Sequence, residues 1–222
     1  MFKKILIAAI LVLGLVRSPA FGADEKVHPE VRKFLNNLED AIYKMDTYSS
    51  TMVSENRKGK KREYKVTEFR FKKPNLIRTD VIDGDKKGST VILNKEGKIR
   101  GKNSMGLRKT LKPADSRLKN IRGATFMQAS FIDMMERLKE HILERGCRAR
   151  VVVEQYMDRP AYHLIIEHDD DDDPVTLEEV WYDKDTYFIM KKIKFEGETK
   201  VSDITWKDRK INIPLDDSLF VQ

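Results

Sequence analysis

Residues 62–83 hold two strand-like runs in R-E-Y-K-V-T-E-F-R-F-K-K-P-N-L-I-R-T-D-V-I-D. Successive side chains of a strand point to opposite faces, so Phe69 and Phe71 share one face of a predicted strand. Glu68 and Arg70 lie on the other face. A central Pro-Asn pair divides the run into two strands. The pattern predicts an antiparallel sheet with one face in solvent.

The same alternation continues through most of the chain and predicts about ten strands, separated by short Gly, Pro, Asn or Asp turns. They cover residues 48–55, 63–72, 76–82, 90–94, 98–101, 149–156, 162–168, 175–183, 188–195 and 200–213, with a ragged strand at 107–111. A sheet of this size cannot stay flat, because strand twist accumulates. We expect it to curl into a barrel-like shape.

Two segments have helical periodicity instead. The first follows Pro29, which suits a first helical turn, and its apolar face holds Val31, Phe34, Leu35, Leu38, Ile42 and Met45. The second covers residues 125–145, and its apolar stripe holds Met127, Phe131, Met134, Met135, Leu138 and Ile142. Gly146 is a suitable C-terminal cap.

The start of the second helix has two alternatives. Thr125 and Gln128 have the spacing of a capping box, while Ser130 could start a separate segment, which would place a break near Ala129. Both helices need a surface on which to bury an apolar face. We therefore predict an α+β fold in which a curled antiparallel sheet forms an unclosed half-barrel, with two amphipathic helices on the concave face. An apolar cavity between them could hold an acyl chain.

The first 22 residues have the composition of a cleaved signal peptide. Lys3 and Lys4 give a basic start, residues 5–16 are apolar, and Ala20-Phe21-Gly22 is a small-residue cleavage pattern. We expect residues 23–222 to form a single exported domain in the periplasm. No cysteine lies near the predicted cleavage site, so we expect a soluble protein without a lipid-modified cysteine.

Charge argues against a nucleic-acid-binding protein. Without residues 1–22 the chain has 40 basic and 36 acidic residues, a net charge of +4 with both signs interspersed. Nucleic-acid binding would need a concentrated basic face with stacking aromatic side chains. The densest basic cluster, at residues 57–62, is typical of a solvated hairpin tip. We expect a monomer that does not bind nucleic acid.

Candidate catalytic and metal-binding groups are sparse. His28, His141, His163 and His168 form no metal-binding pattern, and neither H-E-x-x-H nor G-x-S-x-G occurs. The five consecutive aspartates at 169–173 lack the interleaved glycine and carbonyl ligands of a calcium loop, although weak metal binding stays an alternative. Cys147 is the sole cysteine, so it forms no internal disulfide. We expect no enzymatic activity, no metal and no cofactor.

Two groups of side chains are candidate ligand contacts. The methionines of the second helix are flexible and adapt to ligands of irregular shape, although such stripes are also ordinary core filling. Trp181 and Trp206 could stack on a sugar or lie at a membrane interface, and core packing is the alternative for each. Sequence alone leaves these alternatives open.

Several short motifs resemble the periplasmic outer-membrane lipoprotein carrier and sorting family (LolA/LolB-like). Lys73-Pro74 matches a basic residue before proline at a strand end, and Leu76 matches the apolar start of the next strand. Trp181-Tyr182-Asp183 matches a late W-V-D motif, and the closing N-x-x-x-x-x-x-x-F pattern is matched at Asn212 and Phe220. Carrier members favour Arg before the proline, and they have a G-x-x-W motif that this chain lacks.

The resemblance implies a lipid- or lipoprotein-binding protein that holds acyl chains and acts in outer-membrane lipoprotein sorting or envelope lipid transport. Its partners would be acyl chains and membrane-bound donor and acceptor proteins. Lys73 would gate a helical lid. The predicted cavity lining is Phe69, Phe71, Leu76, Met127, Phe131, Met134, Met135, Leu138 and Trp181. The alternative is a non-enzymatic envelope protein-interaction or lipid-sensing regulatory module with a dry core.

Overall fold

The computed structural model describes residues 27–169 and 174–221, so the predicted signal peptide and four of the five consecutive aspartates lie outside the described residues. The described residues form one sheet of 11 strands. In chain order these are β1 Thr47–Lys58, β2 Lys61–Lys72, β3 Leu76–Gly84, β4 Thr90–Leu93, β5 Ile99–Lys102, β6 Arg108–Leu111, β7 Arg148–Tyr156, β8 Arg159–Glu167, β9 Leu177–Asp183, β10 Ile189–Glu196 and β11 Thr199–Ile211. Each of them overlaps a predicted strand.

The sheet is made of two meanders joined in its middle. The spatial order is β6-β5-β4-β3-β2-β1-β11-β10-β9-β8-β7, and all neighbouring strands are antiparallel. β1 pairs with β11, so the first and last strands lie side by side. β6 and β7 remain as free edges, and the sheet is not closed. The predicted α+β half-barrel is confirmed.

Two helices pack on one face of this sheet. α1 spans Pro29–Tyr43 and α2 spans Phe131–Lys139. A 3-10 turn at Met127–Ala129 precedes α2, and a π-helical turn at Glu140–Glu144 follows it. The chain then leaves the helix at Gly146, whose φ of 75° is the left-handed conformation expected of a C-terminal glycine.

The break before α2 has a local cause. The Ser130 hydroxyl accepts a hydrogen bond from the Asp133 backbone N–H at 3.2 Å, which caps α2. The Gln128 side chain accepts a second one from the Thr125 N–H at 2.8 Å. Both alternatives from the sequence are therefore present, because each caps a different segment.

The main core lies between the helices and the inner face of the sheet. All six residues predicted for the apolar face of the first helical segment are buried there. At its centre the Tyr48 ring stacks on Phe131 with 4.2 Å between ring centroids and on Phe71 with 4.8 Å. Lys139 joins α2 to α1 through the Glu39 carboxylate at 2.8 Å.

Two smaller clusters cover the outer face. Phe220, in the C-terminal 3-10 turn, packs on Leu76 and Ile92. Trp181 packs on Ala161 and Met190. Leu76 and Trp181 thus lie on the face opposite to the helices, because their strand neighbours occupy the inner positions.

Candidate binding cavity

A cavity of about 480 Å³ lies between the inner face of the sheet and residues 117–137, which we call the covering segment. The sheet contributes residues of β1 to β4, β10 and β11. Its volume falls in the range of about 300–1,000 Å³ that is usual for small-molecule sites. The residues before α2 and the start of that helix therefore form one wall of the cavity.

One end of the cavity is apolar. Met52 on β1, Phe69 on β2 and Trp206 on β11 line it from the sheet. Phe126 and Met134 line it from the covering segment. This end adjoins the aromatic core, so side chains there are held by packing and are suited to contact with a hydrocarbon chain.

The other end is polar, and the change occurs along each strand. On β2 the inward positions run from Phe69 through Thr67 to Lys65 and Glu63. Asn56 on β1 and Ser202 on β11 continue the polar row, and the Ser202 hydroxyl donates to the Asn56 side-chain oxygen at 2.9 Å. Strand pairing aligns these positions across the sheet. The cavity is therefore amphipathic along its length.

Three charged residues of β9 and β10 form a cluster at this polar end. Glu178 is 3% exposed, and its two carboxylate oxygens each lie 2.7 Å from a lysine ammonium, Lys192 on one side and Lys194 on the other. Burial raises the pKa of the Glu178 carboxyl, but the two lysine charges outweigh burial and hold that pKa well below its ordinary value. Burial lowers the pKa of Lys192 to about 8.

On the covering side, Arg137 and Asp133 of α2 form a charged pair. The Arg137 Nε lies 3.6 Å from the Asp133 Oδ2. Burial raises the pKa of the Asp133 carboxyl, and the charge of Arg137 compensates only in part.

Specific polar contacts hold the covering segment over the cavity. The Glu63 carboxylate accepts a hydrogen bond from the Ile121 N–H at 3.3 Å. Arg122 donates to the Glu196 carboxylate at 2.5 Å and to the Arg57 carbonyl at 2.8 Å. The segment is thus attached to the β1–β2 and β10–β11 hairpins at the polar end.

The predicted lining residues are divided by the structure into four groups. Phe69 and Met134 line the cavity. Phe71, Phe131, Met135 and Leu138 are buried in the main core beside it. Met127 is half-buried in the 3-10 turn before α2. Leu76 and Trp181 belong to the outer clusters and do not line this cavity, because each lies at an outward strand position.

Lys73, the predicted gating residue, contacts the end of α1. Its ammonium donates to the Tyr43 carbonyl at 2.5 Å and lies 3.1 Å from the Asp46 carboxylate. Tyr43 is the last residue of α1, so this contact satisfies a carbonyl without an intrahelical partner. Gating by Lys73 stays a prediction, but its contact with a helix over the sheet is observed.

The sequence analysis missed the charged side chains of the cavity. Lys65 lies four residues before Phe69 on the same strand, and an even separation places both on one face. The even spacing therefore indicates that Lys65 shares the inward face of β2 with Phe69. The sequence analysis instead expected charged side chains on the solvent face.

Among the described residues, the remaining candidate metal ligands and the single cysteine lie away from the cavity lining. No group of three His, Cys, Asp or Glu side chains in the part of the chain that the structure describes could hold a metal ion. The Cys147 sulfur lies 3.7 Å from the His168 Nδ1. Asp169, the described member of the aspartate run, lies 3.5 Å from Arg148.

Across residues 27–169 and 174–221, no helix is long and apolar enough to cross a membrane.

Comparisons with known proteins show similarity of fold rather than of sequence. No protein-family model matches the chain, and no curated protein matches it. An uncharacterized conserved protein from Thermus thermophilus is 8% identical with a TM-score of 0.55, over 87% of this chain and 93% of that chain. The lipoprotein LppX from Mycobacterium tuberculosis is 9% identical with a TM-score of 0.50, over 85% and 99%.

A LolA superfamily protein from Nitrosomonas europaea also matches, at 10% identity and a TM-score of 0.40, over 86% of this chain and 97% of that chain. Its score is too low to carry an argument by itself, so the comparison of folds rests on the two higher-scoring structures. The chain shares the fold of LppX, and the predicted resemblance to LolA-like proteins is confirmed at the level of the fold.

Proposed function

We propose that the protein is a non-enzymatic periplasmic binding protein that holds acyl chains of a lipid or lipoprotein in the cavity described above. It would act in outer-membrane lipoprotein sorting or envelope lipid transport and exchange its ligand with membrane-bound donor and acceptor proteins. The observation that carries this proposal is the cavity between the sheet and the covering segment, with its apolar end at Phe69, Trp206 and Met134.

Burial of the acyl chain supplies part of the free energy that binding needs. Each buried methylene contributes about 0.8 kcal/mol, so ten methylenes contribute about 8 kcal/mol. Association costs about 4–15 kcal/mol, so an acyl chain of moderate length offsets a substantial part of that cost. The remainder has to come from the polar end of the ligand.

Filling the cavity tests the proposal. Thr67 lines the cavity on β2, and its neighbour Val66 has its side chain on the opposite face. Thr67→Trp is expected to reduce binding of a fluorescent acyl probe by about tenfold or more, which is a loss of about 1.4 kcal/mol. Val66→Trp is the matched control and should bind as the unmodified protein does.

Native mass spectrometry of the purified protein provides the second measurement. We expect lipid to be retained by the unmodified protein and by Val66→Trp, and to be lost from Thr67→Trp. A protein that is empty and ignores the acyl probe would refute acyl-chain binding.

The second candidate function, an envelope protein-interaction module, has one specific observation in its favour. β7 is an edge strand, and Val152 and Val153 on it are 38% and 56% exposed. An unpaired apolar edge is a template for an added strand from a partner. Crosslinking from this edge that recovers one defined envelope protein, with no lipid in the cavity, would favour this function.

A further inference from the structure

We propose that the cavity selects amphiphiles with an anionic headgroup, placing the acyl chain at the Phe69 end and the phosphate or carboxylate among the basic side chains of the polar end. This inference rests on the proposed function, because it concerns the ligand of the same cavity. It specifies the chemical class of the ligand's headgroup, which neither the fold nor the comparisons supply.

The charge of the lining is the first argument. The cavity wall contains one carboxylate, Glu63, and eight basic side chains: Lys65, Lys86, Arg117, Lys119, Arg122, Arg137, Lys192 and Lys194. Such an excess of cations in a partly enclosed space attracts anions more strongly than the same charges in bulk water would. A neutral lipid would leave this excess uncompensated.

Protein carboxylates outside the wall compensate only part of this charge. Glu178 serves both Lys192 and Lys194, Asp133 faces Arg137, Asp115 pairs with Arg117 and Glu196 pairs with Arg122. Together with Glu63, which pairs with Lys65, and Asp85, whose charge acts on Lys86, these six carboxylates face eight cations. Within the described residues, two positive charges of the wall therefore exceed these carboxylates, even if every carboxyl is ionised.

The burial of these cations is the second argument. The side chains of Lys192, Lys65 and Lys194 are only 14%, 15% and 21% exposed. Burial, followed by repulsion between neighbouring cations, depresses the pKa of Lys192 and likewise that of Lys86. A buried cation is costly unless an anion compensates it; Glu178 is shared by two of these lysines, and a ligand anion would add to the compensation that it provides.

The geometry provides the third argument. Phe69 and Lys65 are four residues apart on β2, so their Cα atoms are separated by about 13 Å along the strand. The hydrocarbon and the headgroup of one ligand can therefore reach the two ends at the same time. Arg137 on α2 and Lys86 in the β3–β4 connection also line the cavity.

The experiment uses Trp206 as an internal reporter. The chain has two tryptophans, so a Trp181→Phe background leaves Trp206, in the cavity wall, as the single indole. Dodecyl phosphate and dodecyl maltoside, which share a chain length, are titrated at low salt, with inorganic phosphate as a third ligand. We expect dodecyl phosphate to bind about tenfold more tightly than dodecyl maltoside, because charge-assisted hydrogen bonds add to the chain contacts.

The combined variant Lys86→Gln with Arg137→Gln is expected to reduce that preference to about threefold or less, because dodecyl phosphate loses two cationic partners. Lys98→Gln, which removes a basic side chain at an exposed turn outside the cavity, is the matched control and should keep the full preference. Circular dichroism and thermal unfolding establish that each variant is folded before it is titrated.

The outcomes separate the two proposals. Equal binding of the two detergents, or a preference that survives the combined variant, would overturn the headgroup inference and leave acyl-chain binding in place. Failure of both detergents to bind would instead refute the proposed function. Inorganic phosphate that binds as tightly as dodecyl phosphate would show an anion site without acyl selection and would also overturn the inference.

Discussion

At the scale of single residues, Tyr48 connects the sheet to the second helix. Its ring is fully buried among Phe69, Phe71 and Phe131, and its hydroxyl accepts a hydrogen bond from the Phe131 N–H at 2.9 Å. That N–H belongs to the first residue of α2, which has no intrahelical acceptor. The Tyr48 hydroxyl thus gives this N–H an acceptor that the helix cannot supply.

We expect Tyr48→Phe to lower the free energy of unfolding by about 1–3 kcal/mol, because the ring stays and a buried donor loses its acceptor. Urea denaturation followed by circular dichroism measures this difference. Tyr43→Phe is the matched control, since Tyr43 is 52% exposed, and it should leave the midpoint unchanged. Equal stability of the Tyr48→Phe variant and the unmodified protein would show that the hydroxyl contributes nothing.

At the scale of elements, the end of α1 is set by residues distant in sequence. The periodicity continues to Met45, but the helix ends at Tyr43, where Lys73 binds the last carbonyl. Asn212 then accepts a hydrogen bond from the Asp46 N–H at 2.8 Å and donates to the Lys44 carbonyl at 3.2 Å. Lys73 and Asn212, two of the motif positions that carry the resemblance to LolA-like proteins, thus stabilise the connection between α1 and β1.

Lys73→Ala is expected to destabilise the protein by about 0.5–1 kcal/mol, because it removes a cation from a helix C-terminus together with its hydrogen bond. Thermal unfolding at low and high salt measures the effect, which salt should reduce. Lys44→Ala, at an exposed position beside the same helix end, is the control. If the two variants were equally stable, the position of Lys73 before the proline would have no structural role in fastening α1.

At the scale of the whole molecule, the curled sheet places polar rows inside the structure. Glu178, Lys192 and Lys194 come from two neighbouring strands, and burial is tolerated because the carboxylate has two cationic partners. The stability from Glu178 is present above its unfolded-state pKa of about 4.5, since its folded-state pKa is depressed. It is lost as the pH falls through the folded-state pKa.

Glu178→Gln is expected to cost about 3–5 kcal/mol at pH 7, because two buried lysines lose their counterion. The difference from the unmodified protein should shrink as the pH falls below about 4.5, because the carboxyl protonates first in the unfolded state while the depressed pKa keeps the native carboxylate ionised. Chemical denaturation from acidic to neutral pH measures both curves. A difference that stayed constant over this range would contradict the linkage.

Local pattern was sufficient for most of the fold. Strands show alternation, as at Phe69 and Phe71, and helices show a three-to-four-residue spacing, as at Val31 and Phe34. Both patterns arise because one face of each element meets the core, and each strand and helix was predicted from them. Ser130 as a cap also follows from local chemistry. The candidate site could be predicted only in part: Phe69 and Met134 lie in the cavity wall, but the charged side chains of that wall were not predicted, and ligand contact by any of these residues stays a prediction.

The sequence by itself determined the elements, their order and their apolar faces, because these depend on neighbours within a few residues along the chain. Only the tertiary structure decided which inward positions meet the helices and which meet the covering segment. The pairing of β1 with β11 brings Ser202 to Asn56, and that of β10 with β9 brings Lys194 to Glu178. A charged side chain has the same local pattern on either face, so its burial depends on partners supplied by distant strands.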